Sequence, residues 1–367
     1  MYGFNEKMLK LPGSINLMSE VCSLILLTIL FCPGCNAQVS GKKDRAVIDS
    51  FSSINPVEQN QPVISTGQSS SGPVNPDTTL YKTILLHLVH GKPSDKWPVI
   101  SDFPQAGAIL PFKRIVAYYG NFYTEKMGIL GEVPADTMLK HLEQEVTSWQ
   151  KADTLLPVQP ALQYIAVTAQ AKPGKNSKYR LRMPFNQVDK AIALATKINA
   201  IVILDIQVGW SSLKDEIPYW EPYLRMPNVH LAIDPEYSMK GGQVPCAEIG
   251  TFDAADVNYA VQYLSDLVKK NQLTPKVLVI HRFTKGMVTN YKKIKLMPEV
   301  QIVMDMDGFG FPAKKVDSYN GAIAGEPVQF TGFKLFYLND ILSYPHIMMK
   351  PSEVLKLYPS PVYIQYQ

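Results

Sequence analysis

The segment that decides the fold is Val229–Met239, with the sequence Val-His-Leu-Ala-Ile-Asp-Pro-Glu-Tyr-Ser-Met. Its first five residues are apolar enough to form a buried strand. Alternate side chains of a strand point to the same face, so Asp234 and Glu236 are predicted to leave the end of this strand together. Pro235 lies between them and prevents a regular ladder from continuing, because it has no N–H to donate. The sequence therefore predicts two carboxyl groups at the carboxyl end of one strand.

Such a pair has an obvious chemical use. Two carboxyl groups held close together cannot both ionise freely, so the pKa of one is raised and an acid can stand beside a base. The alternative is that Asp234 caps the next helical turn and that Glu236 is solvated. The rest of the chain has to decide between these two interpretations.

Apolar runs similar to Val229–Ile233 recur along the chain and alternate with amphipathic segments. The runs predict seven further strands, at 114–120, 163–170, 200–207, 276–281, 300–307, 332–337 and 361–367. Helical spacing of apolar residues predicts helices at 134–152, 185–198 and 254–267, with Thr251 or Asp253 as the N-cap of the last one.

Near-continuous apolar strands alternating with helices are typical of a parallel sheet that is covered on both faces. Eight such units in roughly 250 residues match the size of a (β/α)₈ barrel of the TIM type, which we predict for residues 111–367. The alternative is a doubly wound open sheet. No Gly-x-Gly-x-x-Gly follows the first strand, however, and no strand end carries a phosphate-binding loop.

Strand parity tests the barrel prediction, because alternate residues of each barrel strand face the interior. In the predicted strands 200–207 and 300–307, one parity is apolar throughout and the other becomes polar towards the carboxyl end. Barrel enzymes keep their sites at that end. The polar parity predicts a single concave site formed by Tyr119, Asn121, Gln170, Asp205, Gln207, Asp234, Glu236, His281, Asp305, Asp307, Lys334 and Gln365.

A ring of carboxyl groups suits glycoside hydrolysis, in which one carboxyl protonates the leaving oxygen and another acts as nucleophile, base or stabiliser. We expect Glu236 to be the general acid and Asp234 to orient it or share its proton. Asp205 or Asp307 would stabilise positive charge on the sugar. Aromatic residues after the strands, Trp210 and Tyr237 among them, suit stacking against pyranose rings, and the Gln and Asn amides suit hydroxyl groups. The alternative for the aromatic residues is packing at the barrel rim.

Two other functions stay open. The same residues could bind a glycan or the cell envelope without catalysis, which would require no shifted carboxyl pKa. A metal-dependent hydrolase would use Asp305, Asp307 and His281 as ligands. The chain has no His-x-His or His-Glu-x-x-His pattern, and a single His in a strand is usually a hydrogen-bonded core residue. We therefore expect no metal and no cofactor.

Several segments resemble those of a family of exported bacterial proteins that has no assigned activity. The resemblance covers nearly all of 112–367 but implies no reaction. At the level of the site, Asp234-x-Glu236 is loosely similar to the strand-end Asp-x-Glu of chitinase-like glycosidases and of some muramidases. The longer Asp-Gly-x-Asp-x-Asp-x-Glu of the chitinases is absent. The segments that carry the family resemblance are Ala117–Gly120, Leu204–Gln207, Ala232–Glu236, His281–Thr284, Asp307–Gly310 and Gly332–Phe336.

Composition narrows the class of protein. The net charge is only +4 in 367 residues, and there is no dense basic run or nucleic-acid-binding module, so we expect no nucleic-acid partner. Cys22, Cys32 and Cys35 lie near the amino terminus, which leaves Cys246 alone in the rest of the chain. This distribution excludes a disulfide framework and a cysteine-based zinc site.

The amino terminus is predicted to direct export. The apolar run Val21–Phe31, preceded by two lysines, is typical of a signal-peptide core and is short for a membrane span, so we assign residues 1–37 as a signal peptide. Gly34-Cys35 resembles a loose lipoprotein box with Cys35 as the lipidated residue, whereas Cys35-Asn-Ala37 would suit an ordinary signal peptidase. Residues 38–110 are predicted to be a flexible tether rich in Ser, Pro and Gly. These features predict a membrane-anchored envelope lipoprotein, in the periplasm or on the cell surface, with a glycan or envelope polysaccharide as its partner.

Overall fold

The predicted apolar runs become the strands of one closed sheet. The computed structural model describes residues 77–367. Within them, each of eight parallel strands pairs with the next along the chain, and the last pairs with the first. The (β/α)₈ prediction is therefore confirmed. The strands are β1 (Arg114–Gly120), β2 (Val158–Ala169), β3 (Ile201–Ile206), β4 (Val229–Ile233), β5 (Lys276–His281), β6 (Val300–Met306), β7 (Phe330–Leu335) and β8 (Tyr363–Tyr366).

Helices of very different length connect these strands. The three predicted helices are present at Ala135–Ala152, Phe185–Lys197 and Ala254–Asn271. Asp253 caps the last of them in a reciprocal capping box with Asp256. Short two- and three-residue strands at 180–182, 252–253 and 288–289 lie outside the barrel. The helices are α1 (Thr78–Leu88), α2 (Ile129–Glu132), α3 (Ala135–Ala152), α4 (Phe185–Lys197), α5 (Leu213–Glu216), α6 (Glu221–Leu224), α7 (Ala254–Asn271), α8 (Pro312–Ser318) and α9 (Pro351–Val354), and a π-helical turn, Tyr319–Ala324, extends α8.

Strand parity divides the apolar core into two parts, as expected for a barrel. One set of buried side chains, such as Val202 and Leu204, packs between the strands and the helices. The other set, such as Ile201 and Ile203, packs inside the barrel. The interior is therefore a filled core over the first half of each strand.

Strand β2 breaks the simple alternation. Its register with β3 shifts between Ile165 and Val167, and consecutive residues Ala166 and Val167 both pack against the outer core. A bulge of this kind places one extra residue in one strand and reverses the parity beyond it. Gln170 follows the bulge. Counting alternate positions back from Gln170 therefore assigns the residues before the bulge to the wrong face of the strand.

The amino end of the barrel is closed by the segment that precedes β1. Ile84 and Leu88 of α1, together with Leu110, pack against interior residues at the start of the strands, including Ile115 and Phe330. The Gln301 side chain accepts hydrogen bonds from the backbone N–H groups of residues 109 and 110, at 3.0 and 3.1 Å. The prediction of a tether up to residue 110 is therefore wrong for residues 77–110, because their apolar side chains are needed to cover this end.

The predicted signal peptide, Cys35 and the tether up to residue 76 lie outside the described residues. Among the helices at 77–367, none has the length and apolar character needed to cross a membrane.

Candidate active site

A buried Asp–His pair forms the centre of the predicted site. His281, the last residue of β5, places Nε2 2.8 Å from Oδ2 of Asp205 on β3. The amide of Gln163 on β2 donates to the same carboxylate oxygen at 2.5 Å, and its oxygen accepts a hydrogen bond from the hydroxyl of Tyr363 on β8. Four strands on different sides of the barrel thus hold one buried network.

Two further carboxyl groups lie on the other side of the imidazole. Nδ1 of His281 is 3.2 Å from Oδ2 of Asp307 and 3.5 Å from Oδ2 of Asp305. Parallel pairing puts Asp305 between His281 and Gly332 of the neighbouring strands. A Cβ on Gly332 would lie 2.6 Å from Oδ1 of Asp305, so only glycine leaves room for this carboxyl group.

Asp234 takes both of the roles that the sequence left open. Its Oδ1 accepts the backbone N–H of Glu236 at 3.0 Å and so caps the helical turn Pro235–Tyr237. The Asp234 side chain is also buried close to the other charged groups of the cluster. Burial raises the pKa of Asp234 to about 7, with Asp307 and Asp205 adding to the shift and His281 opposing it. Near neutral pH this carboxyl group therefore holds a proton for part of the time.

Lys334 of β7 brings a positive charge over the cluster. Its Nζ lies 3.9 Å from the centre of the Tyr119 ring and 4.9 Å from that of Phe336, which are cation–π contacts. The Tyr119 hydroxyl accepts a hydrogen bond from the amide of Gln207 at 3.3 Å, and Gln207 in turn accepts the N–H of Ala169. Lys334 and Tyr119 thus lie on the same face as the carboxyl groups.

The charges in this cluster shift one another's proton affinities. Burial alone would lower the pKa of His281, but Asp205, assisted by Asp305 and Asp307, raises it well above its ordinary value, so the imidazole carries a positive charge. Burial raises the pKa of Asp305, which His281 partly opposes. Burial and the surrounding carboxylates also raise the pKa of Tyr119, which keeps its hydroxyl neutral.

Most of the predicted residues converge on this face, and a few are placed differently. Tyr237 lies beside Glu236, whose charge is the main reason that the pKa of the Tyr237 hydroxyl is raised. Gln365 donates to Tyr363 at 3.0 Å. Trp210 packs at a tilt against Tyr179, with ring centres 4.2 Å apart, and its indole N–H donates to the Gln243 carbonyl.

Two predicted residues bond away from the cluster. The Asn121 amide donates to the Tyr164 hydroxyl and the Ile165 carbonyl on β2. The Gln170 amide donates to the carbonyl of Lys172 in the loop after β2. The Asn121 side chain thus joins the loop after β1 to β2, and the Gln170 side chain bonds within its own loop.

Sequence reasoning missed Gln163 and Gly332 as members of the site. Gln163 is fully buried and contacts both Asp205 and His281. The bulge in β2 reverses the alternation of side chains, so the sequence pattern did not show that Gln163 faces the barrel interior. Gly332 contributes only space. The signal that could have found Gln163 is a long polar side chain within an otherwise apolar strand, since such a residue needs a buried partner.

Among residues 77–367, no group of three or more His, Cys, Asp or Glu side chains has the arrangement that holds a metal ion. In the Asp205–His281 pair, one ring nitrogen is already bonded to a carboxylate oxygen.

Comparisons with known proteins do not identify a family for this chain. No family model and no curated relative matches the chain. Among solved structures, a ruminal GH26 endo-β-1,4-mannanase is 9% identical with a TM-score of 0.31, covering 69% of this chain and 59% of its own. GH26C from Muricauda sp. is 12% identical with a TM-score of 0.30, covering 78% and 81%. The chain thus spans less than two thirds of the mannanase, and these TM-scores carry no argument about activity.

Proposed function

We propose that this protein is a glycoside hydrolase-like barrel that processes a glycan by carboxyl-based acid–base chemistry. The observation that carries the proposal is the raised pKa of Asp234, about 7, at the carboxyl end of a (β/α)₈ barrel and within a ring of other carboxyl groups. Glycoside hydrolysis needs one carboxyl that keeps its proton and one that does not. A carboxyl group with this pKa beside other carboxyl groups meets that need.

Glu236 is the group that we assign to proton donation to the leaving oxygen. It is partly exposed, whereas Asp234 is buried beneath it with 3% of its surface accessible. A general acid has to come within hydrogen-bond reach of the substrate oxygen, which favours the more accessible carboxyl. Asp234 bonds the Glu236 backbone and would hold or share the proton, and Asp307 or Asp205 would stabilise positive charge on the sugar.

The test is the variant Glu236→Gln, measured on a panel of reduced, dye-labelled glycans. Loss of a general acid should lower turnover by about 10²- to 10⁴-fold, with folding and glycan binding retained. Glu248→Gln, an exposed carboxyl in the loop that follows, is the matched control and should keep full activity. Wild-type turnover by Glu236→Gln would refute the assignment.

A second candidate is a non-catalytic glycan-binding barrel. The observation that favours it is the burial of the Asp205–His281–Gln163 network, since each of these side chains is at most 1% exposed and is bonded to its neighbours. Such a network also serves as a polar core beneath a binding surface. Binding without any turnover, with no dependence of affinity on the Glu236→Gln change, would favour this candidate.

We further propose that the barrel acts in the bacterial envelope, exported and held to the membrane by a lipid on Cys35. The support is the sequence pattern alone, namely the Val21–Phe31 run and the small residue before Cys35. Cells expressing the full chain should incorporate labelled palmitate into it, and Cys35→Ser should abolish the label. Equal labelling of both forms would contradict lipidation at this residue.

A further inference from the structure

The carboxyl cluster has more hydrogen-bond acceptors than its neighbours satisfy. Neither oxygen of Asp305 has a hydrogen-bond partner among residues 77–367, although the side chain is fully buried. The same holds for Oδ1 of Asp307 and Oδ1 of Asp205. Buried polar atoms almost always have partners, because an unpaired one costs about 1–3 kcal/mol. These oxygens therefore point to a ligand that brings donors.

The cluster also has an excess of negative groups. The cluster contains the carboxyl groups of Asp205, Asp234, Glu236, Asp305 and Asp307. The positive charges of His281 and Lys334 act on Asp234 and Asp305, whose pKa values they lower. His281 pairs with Asp205 through Nε2 at 2.8 Å, and its Nδ1 lies 3.2 Å from Asp307 and 3.5 Å from Asp305. Lys334 directs its Nζ towards two aromatic faces. In the described part of the chain, Asp305 has an ion pair with His281 at 3.5 Å but no close hydrogen bond to either cation.

Position decides which oxygens a ligand can reach. Asp305 is 0% exposed, but the Asp307 side chain, two residues further along at the carboxyl end of β6, is 7% exposed. Asp307 therefore lies at the opening of the cluster. A donor arriving from the barrel mouth would meet Asp307 first, with the Asp305 carboxyl behind it.

From these unpaired oxygens and this excess of carboxyl groups, we propose that the site takes a glycan with free amino groups, a de-N-acetylated amino sugar whose ammonium binds against Asp307 and Asp305. An ammonium supplies three N–H donors and a positive charge, whereas a hydroxyl supplies one donor and no charge. A uronic acid would bring another negative charge and is disfavoured. The inference rests on the proposed glycan-processing function and specifies its substrate class.

The experiment compares three hexamers of β-1,4-linked sugars, made of glucosamine, N-acetylglucosamine or glucose. Binding to the full-length Glu236→Gln protein is measured by calorimetry at mildly acidic pH, where the sugar amines are protonated. We expect the glucosamine hexamer to bind at least about tenfold more tightly than the other two, and its advantage to shrink with added salt.

A second substitution tests the assigned carboxyl. Adding Asp307→Asn should bring the affinities for the glucosamine and N-acetylglucosamine hexamers to within about twofold of each other. Asp317→Asn, an exposed aspartate on α8, is the matched control and should leave the ratio unchanged. If Asp307→Asn does not fold, Asp305→Asn is measured instead. The comparison of the three hexamers on Glu236→Gln tests the inference without either substitution.

Several outcomes would overturn the inference. Equal affinities for the three hexamers would do so, as would a hexalysine peptide that binds as tightly as the glucosamine hexamer. Stabilisation by millimolar Mg²⁺ or Ca²⁺ without any effect of the amine would assign these oxygens to a metal ion instead. Each of these concerns binding only, so failure of the inference is distinguishable from failure of the proposed function, which is decided by turnover of Glu236→Gln.

Discussion

The two ends of the barrel bury polar groups in different ways. At the amino end, Arg114 is fully buried, binds the Asp153 carboxylate at 2.9 Å and donates to the Pro361 carbonyl at 3.0 Å. Lys276 donates to two backbone carbonyls, at 2.6 and 2.8 Å. At the carboxyl end, both oxygens of Asp305 lack a hydrogen bond among the described residues. The amino end holds its buried charges mainly by ion pairs and hydrogen bonds to the chain, although Nη2 of Arg114 has no hydrogen-bond partner among the described residues. At the carboxyl end several carboxyl groups lie together, and oxygens of Asp205, Asp305 and Asp307 have no hydrogen-bond partner there.

This difference indicates which end supports the fold and which end has a function. Groups that are fully bonded stabilise a unique structure, while groups left unsatisfied cost stability and persist at functional sites. In (β/α)₈ barrels the carboxyl end is also where loops carry activity and the amino end where packing provides stability. Substitutions at the two ends should therefore have opposite profiles.

The largest loss of stability should come from breaking the ion pair at the amino end. Asp153→Ala leaves the buried Arg114 guanidinium without its carboxylate, which should lower the free energy of unfolding by about 3–5 kcal/mol. Urea denaturation measures this loss. Asp136→Ala removes the exposed pair with Lys197 and should cost at most about 1 kcal/mol. Similar losses for the two variants would remove the contrast between the ends.

The next largest loss of stability should come from a substitution in the apolar cluster that closes the amino end of the barrel. Leu110→Ala opens a cavity among α1 and the interior strand residues and should cost about 2–5 kcal/mol. Leu338→Ala, at a position that is 65% exposed, should change the free energy of unfolding by no more than about 0.5 kcal/mol. An unaffected Leu110→Ala protein would show that residues 77–110 do not support the barrel.

At the carboxyl end, Gly332→Ala should affect the site more than the fold. Its new Cβ would come 2.6 Å from Oδ1 of Asp305 and 2.9 Å from Cδ1 of Tyr363, which forces the Asp305 carboxyl to move. We expect a cost of about 1–3 kcal/mol together with loss of glycan turnover. Gly286→Ala meets no atom within 4 Å and serves as the control. Full activity in Gly332→Ala would mean that Asp305 does not need its present position.

The prediction that most sharpens the comparison is a dependence of stability on pH. The pKa of Asp234 is raised from 3.8 to about 7, so the folded protein binds a proton that the unfolded chain has already released. The stabilisation from this proton is complete below about pH 4 and is lost as the pH rises to about 7, with a slope of at most about 1.4 kcal/mol per pH unit.

Asp234→Asn keeps the oxygen that caps the turn and removes the titration. The difference in the free energy of unfolding between wild type and Asp234→Asn, measured by urea denaturation, should therefore decline between pH 4 and pH 7 and stay constant above it. Asp317→Asn should show no such dependence. A difference that is flat across this range would mean that Asp234 is ionised throughout and could not share an acid proton.

Much of the architecture could be predicted from the sequence, because strand and helix periodicities are local. The alternation in Ile201–Ile206 and Val300–Met306 gave the direction of Asp205 and Asp305, and Asp234-x-Glu236 marked a strand end. Residues 77–110 and Gln163 could not be predicted in the same way. Residues 77–110 pack because the amino end of the barrel exposes apolar side chains that they cover, and this depends on the tertiary structure. The direction of Gln163 depends on a bulge that arises from the pairing of β2 with β3.

By itself, the sequence determined the closed parallel barrel and the face on which its polar residues lie, since both follow from spacings within single segments. Only the tertiary structure decided which of those residues meet. His281 and Asp205 are 76 positions apart and come within 2.8 Å because β3, β4 and β5 are adjacent in the closed sheet. The raised pKa of Asp234 likewise depends on burial and on charges from other strands, which no local pattern records.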